Sequence, residues 1–305
     1  MSEPHRAGFV AIAGRANAGK STLLNALIGE KLALTAPQAQ TTRTSIQGVL
    51  TTPHAQIVFV DTPGIHKSDT LFNQQMMNAV RAALREHELV LFLADATKPV
   101  RREDEQAASA LAHSPRTVLV PNKIDALDDK RQLLPLIETY SKLFPFLDAV
   151  PVSARTGEGL PRLRQVIVDH LPESPPLFPE DYLTDAPSRF LAAELIRGAI
   201  LRLTREEVPH AVAVLIDTWE EKPQLVRIGA TIYVEREGQK SILIGEKGQM
   251  LKKIGTEARK EMEQLLGSKI YLSLFVKVKP KWREDAEFLR SIDWRAMVGE
   301  PSETE

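Results

Sequence analysis

Residues Gly14–Ser21 read GRANAGKS, preceded by an apolar run, GFVAIA (Gly8–Ala13), and followed by a strongly apolar helical stretch from Thr22 to Ile28. Strand, glycine-rich turn and helix in that order are the context in which GxxxxGK(S/T) acts as a phosphate cradle. The chemistry is anion capture. Glycines at 14 and 19 permit backbone angles and close approach that a Cβ would block, so the N–H groups of Arg15, Ala16, Asn17 and Ala18 and the positive end of the following helix can surround a nucleotide's α- and β-phosphates. Lys20 is placed to reach the β- and γ-phosphates. Ser21, with Thr22 behind it, offers its hydroxyl to Mg²⁺, a hard cation that takes oxygen ligands and keeps several waters. Ser21 is on this reading a metal ligand and not a nucleophile.

A second apolar run, QIVFV (Gln56–Val60), ends in Asp61-Thr62-Pro63-Gly64, which sets a carboxylate at the carboxyl end of a buried strand, where α/β sheets place their ligands. Asp61 is expected to hold the magnesium directly or through water. Gly64 can bring its N–H against the γ-phosphate, and loss of that contact on hydrolysis would release the segment that follows, a switch. Between the two motifs lies Gln40-Thr41-Thr42-Arg43. Thr42, in preference to Thr41, is expected to complete the magnesium shell when a triphosphate is bound.

The tetrad Asn122-Lys123-Ile124-Asp125 reads the base. A carboxylate accepts twice, matching the N1–H and the exocyclic amine of guanine, whereas adenine has no donor at N1. Sites built to pair a particular polar edge discriminate by roughly 10⁴-fold or better. Asn122 is expected to brace the loop and Lys123 to cover the ring. Downstream, in Pro151-Val152-Ser153-Ala154-Arg155, the Ala154 N–H is expected to donate to guanine O6, with Ser153 beside it.

Apolar strands alternate with helical stretches through the first half: Leu89–Ala94, then 102–113, then Thr117–Val120, then 131–143. Such alternation predicts an α/β fold, a doubly wound and mostly parallel sheet covered by helices. With the motifs in this order, the half resembles the P-loop GTPase domain of Ras-like GTPases. It departs from them at Ile65, which follows Gly64 where a Gln would orient the attacking water. Two readings of Asn17 stand side by side. It either helps a monovalent cation such as K⁺ to neutralise charge in the transition state, alongside Lys20, Thr42 and Gly64, or it only hydrogen-bonds its own loop.

At 305 residues and 43% hydrophobic the chain is long enough for two domains with real cores. Zero Cys excludes disulfides, thiolate zinc sites and a thiol nucleophile and fits a reducing compartment. The seven His are scattered without ligand spacing. The start, MSEPHRAG, is polar and does not read as a signal peptide, and no run approaches the roughly 18 apolar residues of a membrane span. A net charge of −1 argues against indiscriminate polyanion binding.

The segment ESPPLFPE (Glu173–Glu180) holds three prolines, which extend neither helix nor strand, so the boundary falls there. The expected division is a nucleotide-binding domain over 1–172, a linker over 173–180, a second domain over 181–298 and a tail over 299–305. Beyond the linker come a helical stretch, Ser188–Leu203, strand-like runs at 211–218 and 225–235, then Ile242-Leu243-Ile244-Gly245-Glu246-Lys247-Gly248, a helical run to about Leu266, a strand at 270–278 and a short helix near 284–291. This α+β order around a GxxG resembles a type II KH domain, whose glycines let the loop backbone approach a single strand's phosphates and clamp about four nucleotides. Between Lys240 and Arg283 there are eleven basic residues against four acidic ones, a local excess hidden by the neutral whole. Glu246 and Lys247 in the loop, Lys252 and Lys253 after it, and Lys279 and Lys281 at the far end are the candidate RNA contacts. Trp282 either stacks on a base or anchors the core.

From GRANAGKSTLLNALIG through QTTR, DTPGIH and NKID to IGEKGQMLKKIG and VKVKPKWR, nearly the whole chain resembles the bacterial Era family of GTPases. The resemblance implies a cytoplasmic, monomeric switch that binds GTP or GDP with Mg²⁺, hydrolyses GTP without the usual Gln, and grips the 3′ end of small-subunit ribosomal RNA during assembly of the 30S subunit. It also implies peripheral association with the inner membrane in some bacteria, although no amphipathic anchor is visible. Two rivals are an RNA chaperone that uses GTP as a latch without turnover and an ATPase of RNA processing, against which Asp125 speaks.

Overall fold

In the computed structural model, residues 4–35, 46–62, 87–113, 116–204, 208 and 211–294 are described. Strand β1 (Arg6–Gly14) lies inside a six-stranded sheet whose other members are β2 (Ile46–Thr52), β3 (Ala55–Asp61), β4 (Leu89–Asp95), β5 (Thr117–Asn122) and the short β6 (Asp148–Ala149). The order is β2-β3-β1-β4-β5-β6. All neighbours are parallel except β2 and β3, which form an antiparallel hairpin. Strands covered on both faces read as continuous apolar runs, which is why β1, β3, β4 and β5 stand out in the sequence. Their residues are almost all buried.

Helices α1 (Lys20–Ile28), α2 (Arg102–Ser109), α3 (Leu133–Leu143) and α4 (Leu160–His170) accompany this sheet. The helix expected over 102–113 is α-helical only to Ser109 and closes as a tighter 3₁₀ turn over Ala110–His113. Three elements escape the sequence reading, the two-residue β6 among them. Strand β2, IQGVLTT, is half polar and pairs on its ladder with β3 alone, so it lacks the solid apolar run of its neighbours. Helix α4 carries only Leu160, Leu163, Val166 and Ile167 inward, among charged residues.

The proline-rich segment is not a free linker, and the boundary expected at 173–180 needs correction. The first compact unit extends to Asp185. Gln56, fully buried on β3, accepts from the N–H groups of Leu177 (2.7 Å) and Phe178 (2.8 Å) and donates to Phe178 O (2.9 Å). Farther on, Val49 N–H donates to Leu183 O (2.9 Å), Thr184 Oγ1 donates to Gln47 O (2.6 Å) and Gln47 N–H donates to Asp185 Oδ1 (2.9 Å). Proline removes a donor but not an acceptor, so the segment can still strap the outer edge of β2 through its remaining groups.

The second unit contains α5 (Ser188–Leu203), β7 (Ala213–Lys222), β8 (Leu225–Val234), α6 (Glu237–Ile244), α7 (Gln249–Leu266), β9 (Lys269–Val278) and α8 (Ala286–Ile292). Its sheet runs β7-β8-β9, antiparallel and then parallel. Ile254, Ala258 and Met262 recur every four residues along one stripe of α7 and pack with Ile196, Ala199 and Ile200 of α5 over Ile228, Ala230 and Ile232 of β8. Burying each large aliphatic side chain contributes about 1.5–3 kcal/mol. The resulting order, helix-strand-strand-helix-helix-strand, is that of a type II KH domain.

Candidate functional site

The carboxyl ends of β1, β3, β4 and β5 bring together Gly14, Asp61, Asp95 and Asn122, and the phosphate loop rises from the first of them. Gly19 caps α1 at φ 100°, and a Cβ there would stand 2.3 Å from Asn122 Nδ2. Only glycine admits that approach. Asn122 uses the closeness: its Nδ2 donates to Ala18 O (2.9 Å) while its Oδ1 accepts from the N–H groups of Lys123 (2.8 Å) and Ala154 (3.0 Å). The expected brace is therefore a three-way tie between the phosphate loop and both base loops.

Lys20 is buried, and its Nζ donates to Gly14 O (3.3 Å) and Arg15 O (3.1 Å). Burial pulls its ammonium down to about 8 from 10.5, opposed by the Asp61 carboxylate. A phosphate within reach restores the charged form. Ser21 Oγ donates to Asp61 Oδ2 at 2.8 Å, both groups buried. A hydroxyl and a carboxylate converging in this way are the hard oxygen donors that Mg²⁺ takes, so the pair fits that ion. Thr62, grouped with the ligand contacts from sequence, commits its hydroxyl to Ile12 O (2.7 Å) and pins β3 to β1. Arg15 likewise turns inward, its Nε 3.2 Å from Asp104 Oδ1. Ala16 and Thr22 are half-buried and Ala18 fully buried. Asn17 is exposed and sits at φ 63°, a left-handed conformation that Asn tolerates. Thr42, Pro63, Gly64 and Ile65 lie outside the described residues.

At the base end, Asp125 accepts from Ser153 Oγ at 2.5 Å and forms an ion pair through Oδ2 with Arg155. The Ser153 hydrogen bond, aided by the Arg155 charge and opposed by burial, holds the carboxyl below the ordinary carboxylate range, so it is ionised for base reading. The Ala154 N–H faces Asn122 Oδ1 at 3.0 Å, a buried donor paired with an amide oxygen. Lys123 turns its Nζ to Asn17 O (2.7 Å) and to Asp95 Oδ2 (2.7 Å). Asp95 is a site residue missed from sequence. Burial raises its pKa, but hydrogen bonds from Lys123 and Thr97 outweigh that and hold it low. The signal was present: LVLFLAD closes an apolar run with a carboxylate, as QIVFVD does at Asp61.

In the second unit the GxxG turn joins α6 to α7. Gly245 has φ 69°, and a Cβ there would lie 2.8 Å from Met250 Cβ. Glu246 and Lys247 are exposed at the tip, and Gly248 caps α7. Beside the turn runs a groove of about 410 Å³ whose α7 wall is Gly248, Leu251, Lys252, Gly255, Thr256 and Arg259 and whose floor is Leu272 and Leu274 of β9. Spacing by three and four places these α7 residues on one stripe, a signal that extends the expected site to Gly255 and Arg259. Lys253 is exposed but does not line the groove. Lys279 is held by Asp285 at 2.8 Å and lies over the Phe288 ring, whereas Lys281 is exposed. Trp282 is fully buried and its Nε1 donates to Ala211 O (3.0 Å), so it anchors the core and stacks on no base.

Comparison with known proteins agrees with both halves. Residues 9–123 match a family model described as 50S ribosome-binding GTPase, and residues 207–283 match one described as KH domain. The chain is 47% identical over 294 residues to the GTPase Era of Geobacter metallireducens, covering 95% of this chain and 98% of the relative. It is 45% identical to that of Nostoc, covering 95% and 90%. Among solved structures, Era in complex with MgGDPNP and nucleotides 1506–1542 of 16S ribosomal RNA superposes with a TM-score of 0.92 at 42% identity, covering 95% and 99%. An Aquifex aeolicus Era variant bound to GDP·AlF₄⁻ gives 0.91 at 42% identity, with the same coverage.

Proposed function

The chain belongs to the Era family of GTPases, and from that premise we propose that it is a GTP-driven switch that grips the 3′ end of small-subunit ribosomal RNA while the 30S subunit is assembled. The observation that carries the reading is the presence on one chain of an ionised Asp125, tied through Ser153 and Asn122 to a phosphate loop, and of a GxxG turn opening on a basic groove. The relative solved with MgGDPNP and 16S ribosomal RNA supports extending both ligands to this protein.

In the nucleotide site Lys20 neutralises the β- and γ-phosphates, the loop N–H groups from Arg15 to Ala18 hold the α- and β-phosphates, and Asp125 reads guanine once Arg155 is displaced. Ser21, Asp61 and Thr42 hold the magnesium, which when bound offsets charge on the phosphate oxygens. Gly64 senses the γ-phosphate. Asn17 leaves its exposed side chain to a monovalent cation such as K⁺; equal turnover in sodium and potassium removes that role. In the RNA site Gly245 and Gly248 let the backbone meet phosphates, with Lys247, Lys252 and Lys281 adding salt-dependent affinity.

GTP and RNA then bind with positive coupling, and linkage requires that each tighten the other. Titration of GTP with and without the RNA 3′ end tests this, and identical affinities reject the scheme. The RNA half begins after the strap that ends at Asp185. The protein acts as a cytoplasmic monomer. Any association with the inner membrane is peripheral; among the described residues no helix is long and apolar enough to cross a membrane.

A further inference from the structure

Strand β9 sends alternate residues to opposite faces of the KH sheet. Ile270, Leu272, Leu274 and Val276 pack toward the helices. The other face carries Lys269, Tyr271, Phe275 and Lys277, all exposed. Tyr271 is 60% exposed and Phe275 61%, an unusual cost for two large aromatic rings on one strand. In the parallel register Tyr271 stands opposite Arg227 of β8, whose guanidinium lies 5.8 Å from the ring centroid.

The location gives these rings a partner. Strand β9 is the edge of its sheet, and the residues between the two aromatics in sequence, Leu272 and Leu274, form the floor of the groove beside the GxxG turn. Groove and aromatic face are thus the two sides of one edge strand. A polynucleotide that leaves the groove across that edge meets Tyr271 and Phe275, set about 13 Å apart by the strand's rise. The charge matches: β9 carries Lys269 and Lys277 and no acid. Asp217 and Glu220 stand on β7, across β8, with Asp217 engaged by the Thr231 hydroxyl and Glu220 opposite Arg227, while at the far end Asp285 is paired with Lys279 and Glu235 with Arg283.

We propose that the outer face of β9 is a second RNA subsite, in which Tyr271 and Phe275 stack on bases of the single strand after it passes over the sheet edge from the GxxG groove. Stacking on aromatic rings tolerates any base, so this subsite lengthens the grip without adding sequence preference, and Arg227 and the two lysines meet the phosphates. The inference rests on the RNA reading of the groove.

The test uses the full-length chain with Tyr271→Ala and Phe275→Ala combined, and two probes from the 3′ end of small-subunit ribosomal RNA, a tetranucleotide and a dodecanucleotide carrying 2-aminopurine beyond the fourth position. Because both rings are exposed, the double variant should fold, which an unchanged circular dichroism spectrum and thermal midpoint of the RNA half verify. The expected result is unchanged tetranucleotide affinity, dodecanucleotide affinity weaker by about 5- to 100-fold, and loss of the 2-aminopurine quenching seen in the parent. Tyr271→Trp combined with Phe275→Trp should keep the quenching, because stacking needs a ring and not a particular one. Equal dodecanucleotide affinity in parent and double variant overturns the subsite while leaving the groove intact. Failure of the parent to bind either probe overturns the groove reading itself, and with it this one. Sedimentation with anionic phosphatidylglycerol vesicles that is lost in the double variant, with RNA binding unchanged, overturns it in favour of a lipid surface.

Discussion

Arg155 closes an ion pair on Asp125, the carboxylate that reads the base, while Ser153 donates to the other oxygen at 2.5 Å. The Arg155 side chain is three-quarters exposed to water, so a base edge would compete with it for that oxygen. Exposed pairs contribute about 0–1 kcal/mol, so the competition is mild. Arg155→Ala should tighten GTP binding by up to about fivefold at low salt, with the gain vanishing at high salt. Calorimetry at two ionic strengths reads this, and a variant that binds more weakly at both would show that Arg155 serves the bound base instead.

Asp125→Asn replaces one acceptor by a donor. GTP affinity should fall at least about 100-fold, because the N1–H or the amine loses its charged partner, and xanthosine triphosphate, which carries a carbonyl at C2, should gain. Competition between the two nucleotides for the variant decides it; retained preference for GTP would place guanine reading elsewhere.

The buried Lys20 links binding to protons. Its folded-state value of about 8 lies below the ordinary 10.5, so the folded protein without nucleotide holds fewer protons than the unfolded chain between those limits. Burying this lysine costs stability below pH 8, and that cost is relieved as pH rises through the window. Nucleotide affinity runs the other way. It should be level below about pH 7.5 and fall above pH 8 by up to about tenfold per unit, with proton uptake on binding near pH 8. Calorimetry in buffers of different ionisation enthalpy measures that uptake, and none at pH 8 would contradict a depressed Lys20.

Asn122 spends both ends of its amide on Ala18 and on the N–H groups of Lys123 and Ala154. Asn122→Ala leaves buried partners unmade, at about 1–3 kcal/mol each. The expected outcome is a loss of about 2–4 kcal/mol in the nucleotide-free protein, seen as a lower thermal midpoint. A midpoint within 1 °C or so of the parent's would mean that the loops hold without this tie.

What the sequence made legible was local. The phosphate loop, the carboxylate after QIVFV and the GxxG turn each need residues within a few positions of one another, and burial on both faces turned β1, β3, β4 and β5 into plain apolar runs. What escaped depends on distant partners. Strand β2 exists because β3 and the strap pair with it; Gln56 holds Phe178 across 122 positions. Asp95 acquires its role only when Lys123 arrives from another loop. Trp282, flanked by Lys281 and Arg283, had the look of a stacking ring, yet its indole N–H has a backbone oxygen waiting inside the core.

The strap has a protective meaning. Near its end Asp185 accepts from the N–H of Gln47 on β2, the outer strand of the sheet. A strand that would otherwise end the sheet with bare amides is clasped by its own chain, which shuts that rim against recruitment of another polypeptide's strand.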